Sequence, residues 1–149
     1  MEALNRNYTS ALVLNDTKKL LMQLKDGGYP FWPNCWATFG GGIKEDLETP
    51  FECMIREFDN ETGIRIESFI PFYEEDFSDE SKVGTGLIRD GRIYYFSAEI
   101  SEADSRKIKI TEGINYGFFN RWELKRLRER NCIVPYQHDI IEKFFNSLE

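Results

Sequence analysis

The sequence predicts an α/β protein, an α/β/α sandwich around a central mixed β-sheet. The apolar segments come as strands, then a helix, then strands, then two more helices, with the first helix after the third strand. Two of the helices mark their starts with capping boxes, Thr49 with Glu52 and Asn120 with Glu123. The stretch 92–100 sets Tyr94, Phe96, Ala98 and Ile100 against Ile93, Tyr95, Ser97 and Glu99, so both faces are fairly apolar until Glu99, as in a strand covered on both sides.

At 149 residues the chain suits one domain, 1–149, enough to bury roughly 68–70% of its unfolded surface. A net charge of −7 and no basic stripe argue against a nucleic-acid backbone as partner. An anionic ligand would therefore be drawn in locally, by a metal. The three cysteines, Cys35, Cys53 and Cys132, are odd in number and lack metal-ligand spacing, so reduced thiols are expected. With no leader-like start and no run of 18 apolar residues, a cytoplasmic protein without a membrane partner is expected.

Tyr8 to Leu14 and Leu20 to Leu24 read as strands joined by a polar turn. Residues 27–36 form a Gly- and Pro-rich loop carrying Tyr29, Phe31, Trp32 and Trp36. Two readings of its rings stand: a cover for the sheet edge, or a base-stacking platform, with Phe31 and Trp32 as substrate-binding candidates. Ile64 to Tyr73 is strand-like, and the acidic run from Glu74 to Glu80 reads as a solvated loop. Asp90-Gly91 predicts a hairpin turn between strands 83–89 and 92–100. A strand follows at Ile114–Phe119, then helices from Asn120 to about Arg130 and from Tyr136 to about Asn146. His138, the only histidine, reads as a surface or capping residue.

The chemistry concentrates between Gly40 and Ile64. Three glycines, Gly40 to Gly42, let backbone pass close to a neighbour. Thr49 and Pro50 start a helix that Gly63 ends, and Phe51, Ile55, Phe58 and Thr62 form its buried face. The other face clusters Arg56, Glu57, Asn60 and Glu61. Two carboxylates at i, i+4 repel by about 0.2–0.5 kcal/mol on an isolated helix. Hard oxygen ligands so placed suit Mg²⁺ or Mn²⁺, with phosphates and waters completing the coordination.

This stretch resembles the Nudix box, G-x5-E-x7-R-E-U-x-E-E-x-G-U, where U is a bulky apolar residue. Gly42, Glu48, Arg56, Glu57, Phe58, Glu61, Gly63 and Ile64 all match. Asn60 alone departs, standing where the family has the first Glu of its Glu-Glu pair. The resemblance implies a Nudix-type sandwich and a hydrolase that splits the pyrophosphate of a nucleoside diphosphate linked to another group, with Mg²⁺ (or Mn²⁺) as cofactor. It implies Glu57 and Glu61 as metal ligands, with Asn60 and the Gly42 backbone as further ones. Arg56 would orient the carboxylates and Glu48 would support the loop. The general base is Glu57 itself or a carboxylate from a later loop, Glu112 first and Glu75 second. The expected partner is a small-molecule nucleotide, and because family members often pair, a homodimer. The neutral Asn60 leaves a nucleotide-sensing module as the alternative to a hydrolase.

Overall fold

The computed structural model describes residues 3–80, 86–111 and 113–149. Among them seven strands form one mixed sheet: β1 (Ala3–Asn5), β2 (Tyr8–Leu14), β3 (Leu20–Leu24), β4 (Trp36–Ala37), β5 (Ile70–Glu80), β6 (Ile88–Glu99) and β7 (Asn115–Phe119). The long β6 is its spine. It pairs antiparallel with β5 on one edge, and parallel with β2 and β1 on the other. β3 carries antiparallel partners β4 and β7.

The alternation of β2 sends its side chains to two cores, because successive residues of a strand face opposite sides of a sheet. Ala11 and Val13 join Met54, Ile55 and Phe58 of helix α1 (Pro50–Thr62). Leu12 and Leu14 join Leu124 of α3 (Arg121–Glu129) and Ile140, Ile141 and Phe144 of α4 (Pro135–Ser147). A short α2 (Glu102–Ser105) follows β6. The expected α/β/α sandwich is therefore what forms. No helix among the described residues is long and apolar enough to cross a membrane.

α1 begins and ends where its sequence dictates. Thr49 accepts the Glu52 amide, Glu52 accepts the Thr49 amide in return, and Gly63 takes φ 76° as the left-handed cap. Ile55, Phe58 and Thr62 are buried, but Phe51 stays 38% exposed, tilted against Phe96 at the rim.

Four expectations are corrected. Residues 64–69 have no regular structure, although Ile64, Ile66 and Phe69 are buried in the α1-side core. The acidic run is not a loop: it forms most of β5, where Glu74 and Asp76 pair with Arg92 across the ladder and Asp79 is 6% exposed. Cross-strand opposite charges stabilise such pairs, which lets an acidic segment lie in a sheet. Asp90-Gly91 is not a turn either, because β6 runs through it without a break. Gly91 serves close approach instead: a Cβ there would fall onto the Arg6 carbonyl oxygen. Residues 83–85 of the strand expected before that turn lie outside the described residues. His138 is also corrected, being 5% exposed, with Nδ1 3.1 Å from Arg128 Nη1. That contact makes Nδ1 the acceptor, and burial lowers the ring's pKa. All three cysteines are free.

Candidate active site

The glycine run crosses from one strand to another. Trp36 and Ala37 pair with β3, and then the Ala11 and Thr9 amides donate to the Phe39 and Gly41 carbonyls at 2.8 and 2.9 Å. A Cβ on Gly40 would strike the Thr9 carbonyl, and one on Gly41 would strike the Glu57 carboxylate. Glycine is thus required for backbone to lie directly on a carboxylate.

Arg56 is the organiser. Its Nε and Nη2 donate to the two oxygens of Glu48 at 2.8 and 2.6 Å, a bidentate fork. Its Nη1 donates to Glu57 Oε1 at 2.7 Å and its Nη2 to the Gly42 carbonyl at 3.2 Å. The guanidinium holds the Glu48 carboxyl down at a pKa of about 2, and the two carboxylates raise that of Arg56 in return. Glu48 Oε1 also accepts the Lys44 amide at 2.9 Å, which ties the loop to the helix.

Glu61 is 2% exposed and points at the sheet. Its Oε1 accepts the Gly40 amide at 2.9 Å and its Oε2 the Gln23 amide nitrogen at 3.4 Å. Gln23, fully buried in β3, also donates to the Thr38 carbonyl at 3.1 Å. Sequence reasoning missed Gln23, and its one signal was an amide within the apolar run Leu20-Leu21-Met22-Gln23-Leu24. Thus Glu57 and Glu61, one turn apart on α1, flank the glycine run from below, both with set orientations.

The remaining expected residues divide. Asn60 is exposed, and its backbone carbonyl accepts the Thr111 hydroxyl at 2.9 Å. Gly42 is less apt for a cation than expected, because its carbonyl already faces two guanidinium groups, Arg56 at 3.2 Å and Arg6 at 3.4 Å. Glu112 lies outside the described residues. Glu75 is not brought to the site: it sits on the α4 side of the sheet, where burial and Asp139 raise its pKa and Lys143 lowers it. Phe31 and Trp32 line a cleft that Gly40 and Gly41 also bound. Phe31, however, is 5% exposed with the Arg89 guanidinium 4.2 Å over its ring, which suits the covering reading for that residue, while Trp32 is half-buried. Trp32 adopts φ 57° and donates its indole N–H to Asp79 at 3.1 Å. Cys53 lies beneath the loop, 3.6 Å from the Gly42 carbonyl, and burial pushes its thiol up to about 11.

Gly41→Ala is expected to lower activity by roughly 10²-fold, since displacing a reacting group by about 1 Å costs that much. Its unfolding transition should fall only modestly, because the Glu57 side chain can swing aside at the cost of its part-exposed contact with Arg56, which keeps Glu48. Steady-state rates and a melting curve on one preparation check both statements.

The family model for the NUDIX domain matches residues 4–135. An uncharacterized Nudix hydrolase of Listeria monocytogenes is 25% identical over 130 residues, which span 83% of this chain and 69% of that protein. The crystal structure of a MutT protein from Methanosarcina mazei superposes with a TM-score of 0.73 at 18% identity, covering 100% of this chain and 99% of the other. The NUDIX domain of Shewanella oneidensis NrtR, solved with ADP ribose, also gives 0.73, at 13% identity over 97% of this chain and 89% of its own.

Proposed function

Because this chain belongs to the Nudix hydrolase family, we propose that it hydrolyses the pyrophosphate bond of a nucleoside diphosphate linked to another group, with Mg²⁺ or Mn²⁺ as cofactor. The observation that carries this reading is the convergence of Glu57 and Glu61 on the glycine run, with Arg56 fixing Glu57 from one side.

The residues present fit a hard divalent cation. Glu57 and Glu61 offer carboxylate oxygens one helical turn apart, and Mg²⁺ is commonly held by one or two carboxylates plus substrate phosphates. Among the described residues no three His, Cys, Asp or Glu side chains form a ready cage, which suits an ion completed by phosphate and water. When bound, such an ion neutralises phosphate oxygens and acidifies the attacking water. The protein's own part is orientation. Arg56 restricts Glu57 to one rotamer, the Gly40 amide and Gln23 restrict Glu61, and the Glu48 fork keeps loop and helix in register. Glu57, as the less buried of the two carboxylates, is the base candidate that the described geometry supports. The cleft lined by Phe31, Trp32, Gly40 and Gly41 joins aromatic rings to the glycine run whose backbone meets Glu61 and Glu57, an arrangement that suits a nucleotide with base and phosphates.

Asn60 supports a second reading, a nucleotide-binding module. An amide oxygen can ligate Mg²⁺ but brings no charge, so the donor set is one carboxylate short of the box. A panel of nucleoside triphosphates, nucleotide sugars and ADP-ribose, each with Mg²⁺ and Mn²⁺, separates the two. Release of phosphate, pyrophosphate or mononucleotide that stops with chelator is the expected result. Saturable binding without release on any member of the panel establishes the module instead.

A further inference from the structure

Arg89, at the start of β6, lines the same cleft as Phe31, Trp32 and Gly41. Its cross-strand partner is Asp79 of β5. The Asp79 side chain is 4% exposed and that of Arg89 15%, and their closest approach, Nη2 to Oδ2, is 2.9 Å. Two other parts of the chain complete the cluster. The Tyr136 hydroxyl of α4 donates to Asp79 at 3.0 Å and accepts from Arg89 Nη2 at 3.2 Å, and the Trp32 indole donates to Asp79 at 3.1 Å. The guanidinium is also held by its faces: its carbon lies 4.2 Å from the Phe31 ring centre, 5.1 Å from Tyr8 and 5.6 Å from Phe77.

Only part of this donor set is used. Nε is buried without a partner, and Nη1 makes no hydrogen bond among the described residues. An exposed ion pair could tie β5 to β6 at little cost. Here both charges are drawn from water, which is expensive, and they fix one guanidinium edge beside an aromatic cleft.

We propose that Arg89 is a specificity-determining residue whose Nη1 donates to an exocyclic carbonyl oxygen of a planar base held against the cleft's rings. The protein then takes oxo-bearing bases, such as guanine, hypoxanthine or uracil, in preference to adenine. This deepens the nucleotide reading above and rests on it. The chemistry is one of matching. Arginine has donors and no acceptor, so it rewards a carbonyl oxygen, and in the same place adenine presents an amino group, donor against donor. Arginine recognises guanine through that oxygen elsewhere for the same reason, while the rings accept any base face.

The test uses binding, so that it does not depend on turnover. Dissociation constants of the intact protein are measured by calorimetry for inosine monophosphate and purine riboside monophosphate, which differ in the 6-oxo group and its N1 proton, and for AMP and UMP. Inosine monophosphate should bind roughly 10-fold or more tightly than purine riboside monophosphate, the value of a hydrogen bond to a charged group. Arg89→Lys keeps a cation beside Asp79 and should reduce that ratio. The double variant Asp79→Leu with Arg89→Met removes both charges together, leaves neither buried alone, and should bring the ratio to about one. The proposal is overturned if the native protein binds AMP or purine riboside monophosphate as tightly, if it binds none of the four at millimolar concentration, or if both variants keep the preference. Hydrolysis is scored separately: preference without product release sinks the hydrolase reading and leaves Arg89 standing, and hydrolysis without preference does the reverse.

Discussion

Glu57→Gln and Glu61→Gln are each expected to cut the hydrolytic rate by roughly 10³-fold or more, since a bound cation supplies several kcal/mol of charge stabilisation in such a reaction. Both substitutions preserve shape but turn one acceptor oxygen into an N–H donor, which at 61 meets the Gln23 amide nitrogen unless that amide, whose oxygen is unpartnered, turns over. A glutamine at 57 still accepts from Arg56, and one at 61 still accepts the Gly40 amide, the contacts now made at 2.7 and 2.9 Å. What disappears is charge. Glu61 is 2% exposed, so neutralising it should leave metal-free stability unchanged or improved, because an ionised carboxylate out of water is costly. Addition of Mg²⁺ or Mn²⁺ at a hundredfold excess over Kd should stabilise the native protein by about 2.7 kcal/mol, and each variant should lose most of that gain. Two measurements decide: product release in metal and in chelator, and melting temperature with and without metal. Variants within a few-fold of the native rate, or a native protein whose melting temperature ignores metal while both variants melt early, would make the pair structural and remove the basis for a metal-dependent hydrolase.

Local signals in the sequence succeeded where the physics is local. The start and end of α1 depend on Thr49, Pro50, Glu52 and Gly63, residues within a few positions of the groups they satisfy, and the structure places each cap as read. The spacing of Arg56, Glu57 and Glu61 fixed their shared helical face for the same reason. Elsewhere the outcome turns on partners distant in sequence. Asp90-Gly91 has turn chemistry, yet its glycine answers the Arg6 carbonyl, 85 residues earlier. The acidic run has loop composition, yet Arg89 and Arg92 lie opposite it in the ladder and make a strand of it. His138 looked solitary because Arg128, its nearest partner, sits on a different helix. The Arg89 cluster was invisible for this reason: Trp32, Asp79, Arg89 and Tyr136 come from four separate segments, and only the β5–β6 register and the docking of α4 bring them together.

Glu48→Gln is expected to destabilise the protein by about 1–2 kcal/mol at neutral pH, with a pH dependence that identifies the cause. Arg56 grips Glu48 with two hydrogen bonds of 2.8 and 2.6 Å, and the Glu48 side chain is only 9% exposed. That grip lowers its pKa from an ordinary 4.5 to about 2; each unit corresponds to at most about 1.4 kcal/mol, and water near the loop screens part of it. A carboxyl whose folded pKa is depressed contributes its stability above the unfolded value and loses it as pH falls through the folded one. The advantage of the native protein over Glu48→Gln should therefore be complete above about pH 5, roughly halved near pH 3.3, and gone below about pH 2. Urea unfolding of both proteins across this range gives the difference directly. Arg56 retains Glu57 in the variant, so the helix keeps its cation partnered and the fold should survive. A gap that persists undiminished to pH 2.5 would assign the loss to shape and not to charge. No gap at pH 7 would mean that the fork holds the loop in place without stabilising the fold, and Glu48 would then matter only for aiming Arg56 at Glu57.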